Sequence, residues 1–204
     1  MIYHIINRSI ADFVIFNDNV EYFRMVNTIR YYRSANPASS FSRFLRDQKT
    51  NNDLGKIHCI NIIAYCLMPN HIHLMIKENN NETASKFIND ILNSYTRYFN
   101  TKHKRKGPLW EGPSKKILTT TNEQLLHTTR YIHLNPVTAY LVNKPEDWPY
   151  SSYREYIGEV DNNENICKYS EELDMNCKQY KRFVEEQIPY QRELAQIKTR
   201  LTTA

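Results

Sequence analysis

No apolar run of about 18 residues occurs in this chain, so no segment reads as a membrane-spanning helix. The start, Met1-Ile2-Tyr3-His4-Ile5-Ile6-Asn7-Arg8, lacks the charged region and apolar core of a secretory leader. Cysteine is scarce: Cys59, Cys66, Cys167 and Cys177 show no C-x-x-C spacing and are too few, in 204 residues, to form a disulfide scaffold. These absences predict a soluble cytoplasmic protein with reduced thiols and no membrane partner. Internal repeats are missing as well, and with 4 glycines a collagen-like chain is excluded, as are coiled-coil and wholly disordered readings. What remains is one compact domain with a small appendage, built from a chain that is 41% hydrophobic.

The net charge of +5 is modest but unevenly placed. Between Arg97 and Lys116 lie Arg97, Lys102, Lys104, Arg105, Lys106, Lys115 and Lys116 against a single acid, Glu111, and the rest of the chain is close to neutral. Charge alone is equally consistent with a solvated face. Here, however, the cations are interleaved with Tyr95, Tyr98, Phe99 and Trp110, which can stack on bases while the cations meet phosphates. Nucleic acid is therefore the expected partner, with Arg97, Tyr98, Lys102, Lys104, Arg105, Lys106, Trp110, Lys115 and Lys116 as candidate contacts.

Periodicity orders the chain as β-α-β-β-α-β-α. Residues 2–8 read as a strand, and Tyr22, Phe23, Val26, Ile29 and Tyr32 form a helical stripe capped by Asn17 or Asp18. Residues 34–56 read as a long loop carrying one helical turn near Phe41 to Leu45. Residues 57–67 form a nearly continuous apolar strand, joined through Met68-Pro69-Asn70 to an antiparallel strand from His71 to Lys77. A helix capped by Asn81 or Thr83 runs to about Phe99, a last strand covers 114–120, and a helix from Glu123 ends at about Asn135 before Pro136. This order predicts an α+β, ferredoxin-like βαββαβ sheet with helices on one face. Residues 159–170 read as a linker, followed by helices over 171–187 and 190–201 broken at Pro189, a helical tail packed on a 1–158 domain.

On a strand, His71 and His73 project from the same face while Ile72, Leu74 and Ile76 point the other way. Two such imidazoles can hold one divalent ion from one side. Taken alone, an H-x-H in a chain with 7 histidines is a weak signal, and surface or hydrogen-bonded histidines are the safer reading. On the last helix Tyr131 and Asn135, four apart, share a face, so a phenol and an amide oxygen could meet the same metal. The residue before a proline avoids the α region, which makes Asn135 a candidate for the frayed last residue. An ordinary half-buried aromatic and a helix-end cap are the plainer roles for this pair.

Five ordered segments carry a resemblance: Tyr3-His4-Ile5-Ile6-Asn7-Arg8; Ala64 to Leu74, reading AYCLMPNHIHL; Gly107-Pro108-Leu109-Trp110-Glu111-Gly112; Arg130-Tyr131-Ile132-His133-Leu134-Asn135-Pro136-Val137; and Trp148-Pro149-Tyr150-Ser151-Ser152-Tyr153. Together, across residues 1–158, they resemble the single-tyrosine HUH transposases, and most closely the REP-associated tyrosine transposases. The resemblance implies that His71 and His73 are metal ligands, that Tyr131 is the nucleophile, and that Asn135 completes the metal site where the mobile branch usually carries Gln. It implies metal-dependent cleavage and rejoining of single-stranded DNA bearing hairpin or REP-like repeats, through a 5′-phosphotyrosine intermediate. Mg2+ or Mn2+ suits a His-plus-amide set around phosphate. A tyrosine hydroxyl, with a pKa of about 10, needs such help at neutral pH. Both monomer and homodimer are consistent with the resemblance. Segment 34–56 and the tail after 158 depart from it. Tyr95 and Tyr98 stand as alternative nucleophiles, and a non-catalytic DNA-binding protein or an RNA-binding sheet as alternative functions.

Overall fold

Four strands and seven α-helices order the described residues, 1–33, 39–47, 59–78, 83–161 and 164–202, of the computed structural model. The chain runs β1 (Ile2–Arg8), α1 (Asn19–Tyr32), α2 (Phe41–Arg46), β2 (Ile60–Met68), β3 (His71–Glu78), α3 (Thr83–Lys102), β4 (Lys115–Thr119), α4 (Asn122–Thr138), α5 (Tyr153–Tyr156), α6 (Cys177–Glu185) and α7 (Ile188–Thr202). The strands form one antiparallel sheet in the order β2-β3-β1-β4, the ferredoxin-like arrangement expected from the element order. Asp18 caps α1 by accepting from the Glu21 N–H, one of the two caps expected there.

Strand register divides the side chains between two faces. Ile72, Leu74 and Ile76, all fully buried, share their face with Ile5 of β1, and on this side Lys116 of β4 reaches the Ser85 hydroxyl of α3. Helices α1 and α3 pack together there. On the other face lie His4 and Ile6 of β1, His71, His73 and Met75 of β3, and Lys115 and Ile117 of β4. Helix α4 packs on β2 and β3 from this second side, where its Tyr131 ring meets His4 and His73. The expectation of helices on one face is thus corrected: an α4 with Ile132, Leu134 and Val137 buried needs a sheet face to bury them against.

Several boundaries move. Helix α4 continues through Pro136 to Thr138 rather than ending at Asn135. Proline lacks the N–H that would bond the Ile132 carbonyl, but burial of Ile132, His133, Leu134, Pro136 and Val137 holds the helix course against the local preference. Helix α3 extends beyond Phe99 to Lys102, and the helical turn expected near Phe41 is a capped helix whose Phe41 and Phe44 pack on Tyr31. The second strand runs to Met68, and residues 48–58, including its expected start at 57, lie outside the described residues, as do 34–38 and Asn81. In the tail, α6 begins at Cys177, not 171, under an Asn176–Gln179 capping box. Pro189 does not separate the two helices but sits in the first turn of α7, where a missing N–H costs nothing.

Two segments without helix or strand brace the sheet. Trp148 to Ser152 lies along the free edge of β2: the Leu67 N–H donates to the Tyr150 carbonyl at 2.9 Å and the Ser152 N–H to that of Tyr65 at 3.0 Å. That covers an edge which would otherwise pair with another chain. Further on, the Lys168 N–H donates to the Ile62 carbonyl at 2.8 Å, while the Glu155 carboxylate accepts from the Ile166 and Cys167 N–H groups. Helices α6 and α7 both pack on α4. Among the described residues no helix is long and apolar enough to cross a membrane.

Candidate active site

The β2–β3 turn aims β3. Pro69 and Asn70 form the turn, and the segment after β1 grips it: Ile15 and Phe16 donate to the Pro69 carbonyl and Ser9 to that of Asn70. Alternation along β3 then presents His71 and His73 together, with ring centroids 5.0 Å apart. His4, diagonal to His73 on β1, stacks on it at 5.3 Å. Tyr131 of α4 stands edge-on above both, 5.6 Å from the His73 ring and 6.1 Å from His4, and it is 45% exposed whereas His73 is 2% exposed. The geometry is a phenol at the open rim of a pocket whose floor is imidazole.

Hydrogen bonds assign roles to the ring nitrogens. Asn70 donates through Nδ2 to the Asp12 carboxylate at 3.1 Å, which turns its Oδ1 to His71 Nδ1 at 2.6 Å. An amide oxygen only accepts, so His71 carries its proton on Nδ1 and presents a bare Nε2. His73 Nδ1 is paired with His4 Nε2 at 3.0 Å, and His73 Nε2 is buried without a partner. An orphaned buried nitrogen costs about 1–3 kcal/mol unless something completes it. Burial, reinforced by Arg8, lowers His71 to about 4; burial likewise lowers His4 to about 4, and His73 is pushed well below the ordinary imidazole value by burial and by the neighbouring histidines. All three rings are neutral at pH 7, the form that binds metal.

Asn135, one turn beyond Tyr131, donates Nδ2 to the Tyr131 carbonyl at 2.8 Å, which leaves its Oδ1 as the free end. Two imidazole nitrogens with fixed partners behind them and one amide oxygen suit a divalent ion of intermediate hardness. Among the described residues there is no group of three or more His, Cys, Asp or Glu able to hold a metal, so any such site depends on the amide. His133, two residues from Tyr131, is a different kind of group. It is fully buried, Tyr180 Oη and Ser152 Oγ occupy its two nitrogens at 2.8 and 2.7 Å, and burial lowers it to about 3.

The basic run does not form one surface. Lys115 is exposed on the histidine face, while Lys116 lies on the opposite one. Arg97 is exposed on α3, and Tyr98 beside it is half-buried under the Arg24 guanidinium, 4.9 Å from its ring. Lys102 is held by Asp18 and Glu21 at 2.7 and 2.8 Å. Arg105 bonds Asn100 Oδ1 and the Pro108 carbonyl, and the half-buried Trp110 donates its indole N–H to Thr96 Oγ1 at 3.0 Å. Lys104 and Lys106 are exposed. Tyr95 is fully buried and bonds the Ile15 carbonyl, so it cannot reach a phosphate.

Four residues beside the candidate site are absent from the expected set: His4, Asn70, Asp12 and Arg8. Arg8 faces His71 in the β1–β3 register and is exposed on the histidine face. Alternation along residues 2–8 would have placed His4 and Arg8 on one face, but which face needs the register with β3. Asp12 reaches Asn70 only because Ala11 and Asp12 adopt φ of 50° and 53°, a left-handed bend that nothing local announces.

The family model described as "Transposase IS200 like" matches residues 1–135. A Haemophilus influenzae protein classed as a REP-associated tyrosine transposase is 29% identical over 102 residues, covering 45% of this chain and 57% of that protein. The chain thus spans little more than half the length of this relative. Among solved structures, a REP-associated tyrosine transposase bound to a REP hairpin aligns with a TM-score of 0.56 at 14% identity, over 86% of each chain, a likeness of fold. A transposase structure from Deinococcus radiodurans aligns at a TM-score of 0.30 with 16% identity, over 65% of this chain and 88% of that one, too little to carry an argument.

Proposed function

The chain belongs to the IS200-like transposase family, and from that premise we propose that it cleaves and rejoins single-stranded DNA through a covalent bond to Tyr131. The observation that carries this reading is the exposed Tyr131 phenol beside an otherwise buried imidazole nitrogen, His73 Nε2, that has no partner.

His71 Nε2, His73 Nε2 and Asn135 Oδ1 would hold the ion, Mg2+ or Mn2+, which when bound draws charge from the scissile phosphate. The Arg8 guanidinium, on the same face, meets a non-bridging phosphate oxygen. Tyr131 Oη attacks phosphorus and gives its proton to solvent through the open rim; the bond from phosphorus to the 3′-oxygen breaks, and that oxygen takes a proton from water. The product is a 5′-phosphotyrosine and a free 3′-hydroxyl. In the reverse direction a 3′-hydroxyl attacks the phosphotyrosine and restores the phenol, so the bond is conserved for rejoining. Helix α4 keeps the phenol in place because His133, buried on the helix's other side, is clamped between α6 and the segment on the β2 edge. The related protein bound to a REP hairpin supports DNA with hairpin repeats as the substrate class.

Tyr131→Phe should lower covalent adduct formation on hairpin-bearing single-stranded DNA by roughly 10^4 or more, the scale of losing a nucleophile, while binding by anisotropy changes little. An adduct that survives this substitution and maps elsewhere removes Tyr131 from the role. DNA binding by the unaltered protein in Mn2+ with no adduct at all favours the non-catalytic reading on the same fold.

A further inference from the structure

Running from Tyr131 and His4 outward, between α4 and strands β1 and β4, the surface opens into a cleft of about 540 Å³ whose remaining lining the phosphotransfer chemistry does not use. Its floor is Ile6 and Ile117, and Ile117 is 42% exposed because α4 packs on β2 and β3 and leaves the β4 side of this face open. Its wall is one face of α4, where Gln124, Thr128 and Tyr131 succeed one another at helical spacing, with the Glu123–His127 pair, 3.8 Å apart, along the outer side. Apolar strand residues below and a phenol ring at one end make a flat, water-accessible slot with its polar groups along α4. Gln124 Oε1 is occupied by the Thr120 N–H and hydroxyl, so only its Nε2 donor is free to turn to a ligand.

A second groove, of about 350 Å³, shares Ile6 with the first and carries Arg8 and Lys115 against one acid, Glu111, a net positive charge of one. An apolar slot with a hydrogen-bonding rim thus adjoins, across one isoleucine, a groove carrying two cations. That alternation matches a single nucleotide: a planar base with polar edges, joined to a phosphate. A phosphate alone would leave the apolar slot unfilled, and an aliphatic ligand would leave Gln124 and the two cations without partners.

Resting on the proposed cleavage at Tyr131, we propose that this cleft is a nucleobase slot: it takes one unstacked base next to the scissile phosphate, with Arg8 and Lys115 on the adjoining backbone, and sets sequence preference at that single position. Ile6 and Ile117 supply the apolar surface on which the base lies, and Gln124 Nε2 donates to its edge.

The test uses the full chain with Mn2+ and a pool of single-stranded DNA randomised on both sides of a fixed hairpin. Covalent adducts are recovered and sequenced, and the best sequence is remade with an abasic residue at each position in turn. For the unaltered protein, one abasic position adjoining the linkage should lower adduct yield by about 10-fold or more, as loss of a stacked base does. In Ile117→Ala the intact substrate should be the poorer one, and the same abasic change should cost little more. Gln124→Glu keeps an acceptor for the Thr120 N–H but replaces the free donor by an acceptor, so it should change the preferred base at that position alone. Anisotropy on the Tyr131→Phe protein with the same oligonucleotides reads binding without turnover and should show the same abasic position. An abasic penalty of equal size in the unaltered protein and in Ile117→Ala overturns the slot while leaving cleavage at Tyr131 standing. No adduct from any sequence overturns the cleavage reading, and the slot falls with it.

Discussion

Two buried histidine arrangements sit on either side of α4. At one, His133 spends both nitrogens inside the protein, on Tyr180 and Ser152, and is fully buried among the Tyr153, Tyr156 and Tyr180 rings. At the other, His4, His71 and His73 are paired on one nitrogen each, and His73 Nε2 is left without a partner beneath an exposed tyrosine. Burial depresses all four, so titration does not tell them apart. Satisfaction does: a buried imidazole with every hydrogen bond made contributes to stability, and one with a fixed back and a bare front is set for a ligand.

The strongest way to break this contrast is to delete one member of each. His73→Ala should abolish Mn2+ binding, read by electron paramagnetic resonance, and lower cleavage by on the order of 10^3, the several kcal/mol a metal supplies. Its unfolding midpoint without metal should fall by less than that of His133→Ala, since the ring is buried and bonded to His4 but an orphaned nitrogen leaves with it. His133→Ala should do the opposite, costing about 3 kcal/mol of stability in urea titration through a cavity and the loss of the bonds to Tyr180 and Ser152, with Mn2+ affinity unchanged. Should that variant not fold, Tyr180→Phe removes one bond and should cost about 1 kcal/mol. A His73→Ala protein as unstable as His133→Ala would erase the distinction.

Acid sharpens the same comparison from the stability side. His133 is held at about 3 and His4 and His71 at about 4, below the unfolded value of about 6.5. The unfolded chain therefore takes up protons first as pH falls. Stability is full above about 6.5 and is lost as pH drops through that value towards 4, by about 1.4 kcal/mol per pH unit for a fully buried group such as His133. Urea midpoints measured at several pH values should decline over this window, and Tyr180→Phe should retain the slope. A flat profile would mean that water reaches these rings.

The smallest effect concerns the partner behind His71. Asn70→Ala removes the acceptor that fixes the proton on Nδ1, and should weaken Mn2+ affinity by about 10-fold with little change in unfolding midpoint. Asp12→Ala frees the Asn70 amide to turn over and should have a weaker effect in the same direction. Nitrogen-15 shifts of His71 report the tautomer directly, and a parent protein with the proton on Nε2 contradicts the assignment.

By itself the sequence determined the strand alternation that puts His71 and His73 on one face, the helical spacing that puts Tyr131 and Asn135 on another, and the element order that closes a ferredoxin-like sheet. These follow from periods of 2 and 3.6, which are local properties of the chain. Only the tertiary structure decided the rest. Helix α4 runs through Pro136 because burial outweighs a local preference, and the basic run divides between two sides of the sheet because Lys115 and Lys116 are neighbours on one strand. His4, Arg8, Asn70 and Asp12 join the candidate site through strand register and a left-handed bend, both set by contacts between residues distant in sequence. The same holds for His133, whose clamped role depends on Tyr180 arriving from 47 residues away. Spacing along a chain carries no record of such partners, because they are chosen by packing after the local elements have formed.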